Sequence, residues 1–160
     1  VEQSTTTSTS TTVQSLMKRQ FPFSCSASSS LGDGWSCEKI YDNEPSSWQD
    51  KSLECADATL EFTFSKDVYF EFLTYENLDD SKSFKRNFKP RDILITSEEE
   101  GFSIEYELEN QNTSTQWIDL NTTTSVITIQ ILSAYPGEEV NGAEAFPECA
   151  IQEITFYGRG

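Results

Sequence analysis

Nearly every apolar run in this chain alternates with period two, and that pattern constrains the fold more than any other feature. In residues 59–64, Leu60, Phe62 and Phe64 face one way while Glu61 and Thr63 face the other. Val68, Phe70 and Phe72 alternate in the same sense. Phe102, Ile104, Tyr106 and Leu108 interleave with Ser103, Glu105 and Glu107, and Ile127, Ile129 and Ile131 share a face. Ile93 with Ile95, residues 117–120 and residues 151–157 complete the set. Such alternation predicts half-buried strands. No segment carries ten or more residues of helical amphipathicity. Turn chemistry separates the runs at residues 77–83, Gly101, residues 110–114 and Tyr135-Pro136-Gly137. Short strands at a spacing of roughly 8–12 residues predict an all-β chain, an antiparallel β-sandwich.

Composition excludes several functions. The chain sets 27 Asp+Glu against 11 Lys+Arg, a net charge of −16, and has no histidine. A polyanion of this density is repelled by phosphate backbones, which argues against nucleic-acid and anionic-membrane partners. Without imidazole there is no Ser-His or Cys-His nucleophile and no His-ligated metal. No apolar run approaches the roughly 18–20 residues of a spanning helix. At 160 residues the chain can build one domain with a substantial core.

Residues 4–12 are almost pure Ser/Thr and have nothing apolar to bury. Residues 1–20 are therefore expected as a disordered stalk or tail, and 21–160 as the folded domain. Four cysteines, Cys25, Cys37, Cys55 and Cys149, contain no CxxC pair, a spacing that suits two disulfides better than zinc. Spacing alone leaves all three pairings open. Two sequons, Asn112-Thr113-Ser114 and Asn121-Thr122-Thr123, fall at expected loops or strand ends. Together these cues predict a secreted or cell-surface setting, with any secretion signal outside these residues.

Two segments carry candidate chemistry. Asp42-Asn43-Glu44-Pro45-Ser46-Ser47-Trp48 is an oxygen-rich tight loop of the kind that suits a hard cation such as Ca²⁺. In the last strand Glu153 interrupts apolar neighbours Ile151 and Ile154, and a carboxylate placed there needs a partner.

"YDNEPSSW", "SFKRNFKPRDILIT", "VITIQILSAYPGEE" and "CAIQEITFYG", in this order, resemble the discoidin superfamily. This is the coagulation factor five/eight type C-like, galactose-binding-like jelly roll. The Asn-x-x-Pro of residues 87–90 and Tyr135-Pro136-Gly137 are similar to the discoidin-like module attached to NAD glycohydrolases. The resemblance spans residues 38–158. It implies a structural Ca²⁺ held by Asp42, Ser47 and Glu153, with backbone carbonyls near Ile40, Glu44 and Gln152. Asn43 stands where the family usually has Gly, Ser47 where Thr is commoner, and residues 142–148 are an insertion. Beside that clamp, a Cys55–Cys149 bridge would reinforce the same contact and leave Cys25 to pair with Cys37.

Three functions are compatible with these features. The first is a carbohydrate-binding module using loops at one end of the sandwich. Its candidate residues are Trp35, Trp48, Tyr75 and Tyr135 as aromatic faces, with Arg86, Asn87 and Lys89 as donors. The second is a protein–protein adhesion or assembly module, since fold does not fix function. The third is an enzyme with paired carboxylates, but carboxylates are so abundant that no pair stands out, and a non-catalytic chain is expected.

Overall fold

The computed structural model describes residues 17–160, so the Ser/Thr run at 4–12 lies outside the described residues. Eleven strands follow one another: β1 (Lys18–Gln20), β2 (Ser24–Ala27), β3 (Trp48–Gln49), β4 (Thr59–Glu76), β5 (Lys89–Pro90), β6 (Asp92–Ser97), β7 (Ser103–Glu107), β8 (Gln116–Ile131), β9 (Ala134–Tyr135), β10 (Ala150–Ile151) and β11 (Glu153–Arg159). A single short helix, α1 (Ser81–Arg86), and two 3-10 turns, Asp33–Trp35 and Cys37–Ile40, are the remaining regular elements among the described residues.

Two strands are long, and they organise everything else. β4 and β8 pair antiparallel along nearly their whole lengths, with register breaks between Thr63 and Val68 and between Phe70 and Phe72. The sequence reads each as two short strands. The residues between the halves, Ser65-Lys66-Asp67 on β4 and Asn121 to Ser125 on β8, lack the Gly or Pro that would end a strand, so the pairs bulge and bend instead. The first half of β4 lies between β2 and β8, and β8 continues through β6 to β7. The second half of β4 pairs with β11, which carries β1 at its edge. The bend turns the two halves toward each other as the layers of an antiparallel β-sandwich. Phe62 of the first half meets Phe156 of β11 edge-on at 5.0 Å, and Phe64 packs on Phe70 at 4.7 Å and on Phe156 at 5.3 Å.

The alternation locates most of this core. Leu60, Phe62, Phe64, Val68, Phe70, Ile93, Ile95, Ile127, Ile129, Ile131, Ile154 and Phe156 are all buried. Phe72 departs from it. The register break beside it moves Phe72 to the outer face, where it packs against Tyr157 at 4.7 Å and Trp117 at 4.8 Å. The sheet also begins three residues before the expected boundary at 21, because Lys18–Gln20 pairs with Gly158, Tyr157 and Phe156.

The disulfides pair Cys25 with Cys37 and Cys55 with Cys149. The second closes a span of 94 residues and is tied to a feature that sequence reading missed. The fully buried Asp50 carboxylate accepts hydrogen bonds from the backbone N–H of Cys149 at 2.7 Å and of Cys55 at 3.0 Å. Burial raises its pKa and these N–H donors oppose the rise. Asp50 thereby fixes residues 49 and 148 beside each other, at one wall of the cleft described next.

Candidate recognition cleft

At one end of the sandwich three loops meet around a cleft of about 230 Å³ lined by Leu31, Trp35, Gln49, Ser83, Asn87, Phe146 and Glu148. Each wall has a local cause. The Asp33–Trp35 turn is closed by a Trp35 N–H bond to Gly32 O at 2.9 Å, and Leu31 N–H donates to Gln49 O at 2.8 Å. Trp35 stays 42% exposed, with its indole at the rim. Asp80 caps α1 by accepting from Ser83 N–H at 2.8 Å. At the other end Asn87 caps it, its N–H and its Nδ2 both donating to Ser83 O, at 3.0 and 2.8 Å.

The third wall comes from the insertion. Phe146 N–H donates to Arg86 O at 2.7 Å, and the Arg86 guanidinium lies over the Phe146 ring at 3.8 Å while its Nε donates to Glu144 O. Gly137 makes this approach possible. A Cβ there would stand 2.1 Å from Arg86 O, so any side chain would push the Tyr135-Pro136-Gly137 turn off α1.

One atom in the cleft is out of balance. Asn87 is 2% exposed, its Nδ2 is used on Ser83, and its Oδ1 is the one buried side-chain polar atom without a hydrogen-bond partner among the described residues. Leaving such an acceptor unmade costs about 1–3 kcal/mol. A buried, unpartnered acceptor on a residue that lines one cleft with Trp35 and Phe146 is the arrangement expected of a site for a ligand with a hydroxyl or N–H donor and an apolar face.

The structure sorts the sequence's binding candidates. Trp35 and Asn87 line the cleft, and Arg86 supports it from behind Phe146. Trp48 and Tyr75 are corrections: both are buried in the core. The Trp48 indole N–H donates to Ser29 O at 3.0 Å, and the Tyr75 hydroxyl donates to Asn77 Oδ1 at 3.1 Å, with burial driving its pKa far up. Tyr135 sits elsewhere, its hydroxyl donating to Leu108 O at 2.8 Å. Lys89 is also buried, its ammonium over the Phe84 ring at 4.6 Å, and desolvation lowers its pKa. Phe146, Gln49, Ser83 and Glu148 were not foreseen. Only the aromatic inside the acidic insertion hinted at any of them.

The contact expected of the cation clamp is present, with Arg19 beside it. The 42–48 loop does meet β11, with Asn43 N–H donating to Glu153 Oε1 at 3.2 Å. Asn43 has φ 59°, a left-handed backbone that favours Gly and that Asn tolerates. Two of the expected side-chain donors also accept hydrogen bonds within the loop: Asp42 from Glu44 N–H at 3.0 Å and from the Ser46 hydroxyl, and Ser47 Oγ from Gln49 at 3.4 Å. Ile40 is fully buried, and Glu44 is exposed at the rim. Glu153 Oε2 receives the Arg19 guanidinium at 3.1 Å. Among the described residues no group of three or more His, Cys, Asp or Glu converges, a criterion that leaves out hydroxyl and carbonyl oxygens. In this arrangement Arg19 stands against the Glu153 carboxylate, and Glu44, Glu76, Asp79 and Glu153 line a cleft of about 220 Å³ beside the loop.

Asn112 and Asn121, the sequon residues, are half-buried and exposed respectively. Asn121 sits in a β8 bulge at φ 56° and accepts from the Tyr69 hydroxyl at 2.8 Å. No helix among the described residues is long and apolar enough to cross a membrane.

No family model matches the chain, and no curated protein matches it. Solved structures do. The family 32 carbohydrate-binding module of Clostridium perfringens NanJ, solved in complex with galactose, aligns over 90% of this chain and 95% of its own, at TM-score 0.62 and 16% identity. The same type of module from AlyQ, solved with 4,5-unsaturated mannuronic acid, gives 0.60 and 14%, covering 87% of this chain and 97% of that one. An F5/8 type C domain from Bacteroides fragilis gives 0.57 and 13%, covering 85% and 91%. At these identities the likeness establishes the fold, the discoidin-like β-sandwich.

Proposed function

We propose that this chain is a non-catalytic recognition module that binds carbohydrate in the cleft between Trp35, Phe146 and Asn87. The observation that carries the reading is the unpartnered Asn87 Oδ1, on a buried residue that lines the same cleft as the exposed Trp35. A pyranose supplies what both lack: a C–H face for the rings and a hydroxyl donor for the carbonyl oxygen. Glu148 lines the same cleft and adds a further acceptor for sugar hydroxyls. With a net charge of −16, neutral sugars are favoured there over anionic ones. That modules of the same fold were solved with galactose and with an unsaturated uronic acid supports a sugar as the ligand class.

The proposal includes an extracellular setting, supported by two disulfides and by sequons at Asn112 and Asn121 as N-glycan acceptors. Kinship with the discoidin-like module of NAD glycohydrolases is part of the same reading and rests on residues 87–90 and 135–137. Calcium, expected from the resemblance, enters only as a competitor that would have to displace Arg19 from Glu153. A second reading, protein–protein adhesion, draws on the exposed Phe21 and Phe23, at 61% and 78%, which lie outside the cleft.

Glycan-array binding of the wild type and of Trp35→Ala tests the choice. The carbohydrate reading expects a neutral glycan signal that a simple sugar competes and the variant loses. An array silent for the wild type, with one extracellular protein captured specifically, would favour adhesion.

A further inference from the structure

Two of the residues that line the Trp35 cleft, Asn87 and Glu148, stand abreast on neighbouring stretches of chain. Phe88 and Cys149 form a parallel bridge, closed by Phe88 N–H to Glu148 O at 3.0 Å and by Ala150 N–H to Phe88 O at 3.1 Å. That register sets Asn87 beside Glu148, one strand spacing or about 4.8 Å away, with both side chains on the side opposite Phe88 and Cys149. Both positions are fixed. Asn87 is the C-cap of α1, in extended backbone. Next to Glu148, the Asp50 carboxylate accepts from the N–H of Cys149 at 2.7 Å, and the Ser52 hydroxyl donates to Glu148 Oε2 at 2.9 Å.

What this pair presents is acceptors. Asn87 has spent its Nδ2 on Ser83 O, and its Oδ1 has no partner among the described residues. A carboxylate can only accept. Glu148 is the one charged side chain among the described residues that line the cleft. Arg86, next to Asn87 in the chain, is already engaged: its guanidinium lies over the Phe146 ring at 3.8 Å and its Nε donates to Glu144 O at 2.8 Å. A sugar hydroxyl carries one proton and completes one of the two acceptors. An ammonium carries three protons and a positive charge, so a single nitrogen about 2.8 Å from each oxygen serves both.

We infer that the cleft selects a hexosamine with a free amino group, whose ammonium bridges Asn87 Oδ1 and the Glu148 carboxylate while its ring lies against Trp35. This rests on the carbohydrate reading of the same cleft and narrows it: neutral pyranoses enter, and the charged amine is preferred. An indole face attracts a cation within about 6 Å of its centroid. The net charge of −16 raises the concentration of cationic ligands at the surface. N-acetylation removes the charge and two of the three donors, and with them the preference. A lysine side chain offers the same ammonium without a pyranose face for Trp35 and Phe146, which favours the sugar.

A ¹H–¹⁵N titration at constant ionic strength and about pH 5.5, with the amines protonated, tests this. The probes are the methyl glycosides of glucosamine and galactosamine, their N-acetyl forms, and Nα-acetyl-lysine amide. Saturable shifts of the Trp35 indole N–H and the Asn87 side-chain amide are expected. At least one amine should bind about tenfold or more tighter than its N-acetyl form and than the lysine derivative. Glu148→Gln still accepts from Ser52 through its carbonyl oxygen, and should bring the ratio of amine to N-acetyl affinity within about twofold. Equal affinity for both forms in the wild type overturns the inference and leaves the carbohydrate reading standing. So does a preference that survives Glu148→Gln, which would place the attraction on the acidic surface at large. Tighter binding of the lysine derivative overturns it in favour of a peptide ammonium. Silence toward every sugar, charged or neutral, overturns the carbohydrate reading together with this inference.

Discussion

Glu153 offers a perturbation whose sign and size follow from its surroundings. Its side chain is 7% exposed, pressed between the Arg19 guanidinium and the Asn43 N–H. Burial pushes its pKa up from 4.5 to about 7; Arg19 and the Asn43 N–H pull it down, and Asp42 and Glu76 push it further up. A folded-state pKa above the unfolded value means that the native protein holds a proton the unfolded chain has already released. The resulting stability is complete below about pH 4.5 and is lost as pH rises through about 7. At 1.36 kcal/mol for each tenfold change in proton affinity, the loss is up to about 3 kcal/mol. Glu153→Gln keeps the shape and one of the two acceptor contacts while removing the titration. Urea unfolding of both proteins at a series of pH values should therefore show the variant gaining on the wild type by up to about 3 kcal/mol between acid and neutral pH. A pH-independent difference would refute the reasoning. So would the opposite slope, which would mean that a tightly held cation keeps the carboxylate ionised.

The same clamp predicts that excess EDTA leaves the thermal midpoint unmoved while Arg19→Ala lowers it; a fall on chelation, abolished by Glu153→Gln, would instead assign Glu153 to Ca²⁺. Asp50→Ala orphans the buried N–H groups of Cys55 and Cys149 and should destabilise by about 2–5 kcal/mol in urea unfolding, and a loss below about 1 kcal/mol would mean that water replaces the carboxylate. Replacing both Cys55 and Cys149 by Ala releases the 94-residue loop, with an expected loss of about 4–5 kcal/mol in the same assay.

How much of this was readable in advance follows from how far each signal reaches along the chain. The β-sandwich was legible because alternation is local: Leu60, Phe62 and Phe64 announce their shared face within five residues. The outward turn of Phe72 was not, since it depends on a register slip against a strand more than forty residues away. Trp35 and Trp48 look equally suited to a sugar in the sequence. They differ only because Trp48 enters β3 and pairs with β10, while Trp35 ends a 3-10 turn at the rim. The meeting of the 42–48 loop with Glu153 was legible from the resemblance, but the Arg19 that fills it lies 134 residues from Glu153, in a stretch with no apolar pattern. Asp50 and Phe146 escaped notice for a related reason. A buried carboxylate and a ring in an acidic loop read as surface until the backbone groups they serve are brought beside them.

The most direct measurement of the central claim is the side-chain amide signal of Asn87 during titration with the neutral glycan selected on an array. If a sugar hydroxyl completes the orphan Oδ1, the Nδ2 protons of Asn87 and the indole N–H of Trp35 should shift together and saturate at one dissociation constant. Saturable glycan binding with both signals unmoved and the shifts located on another face of the sandwich would contradict it.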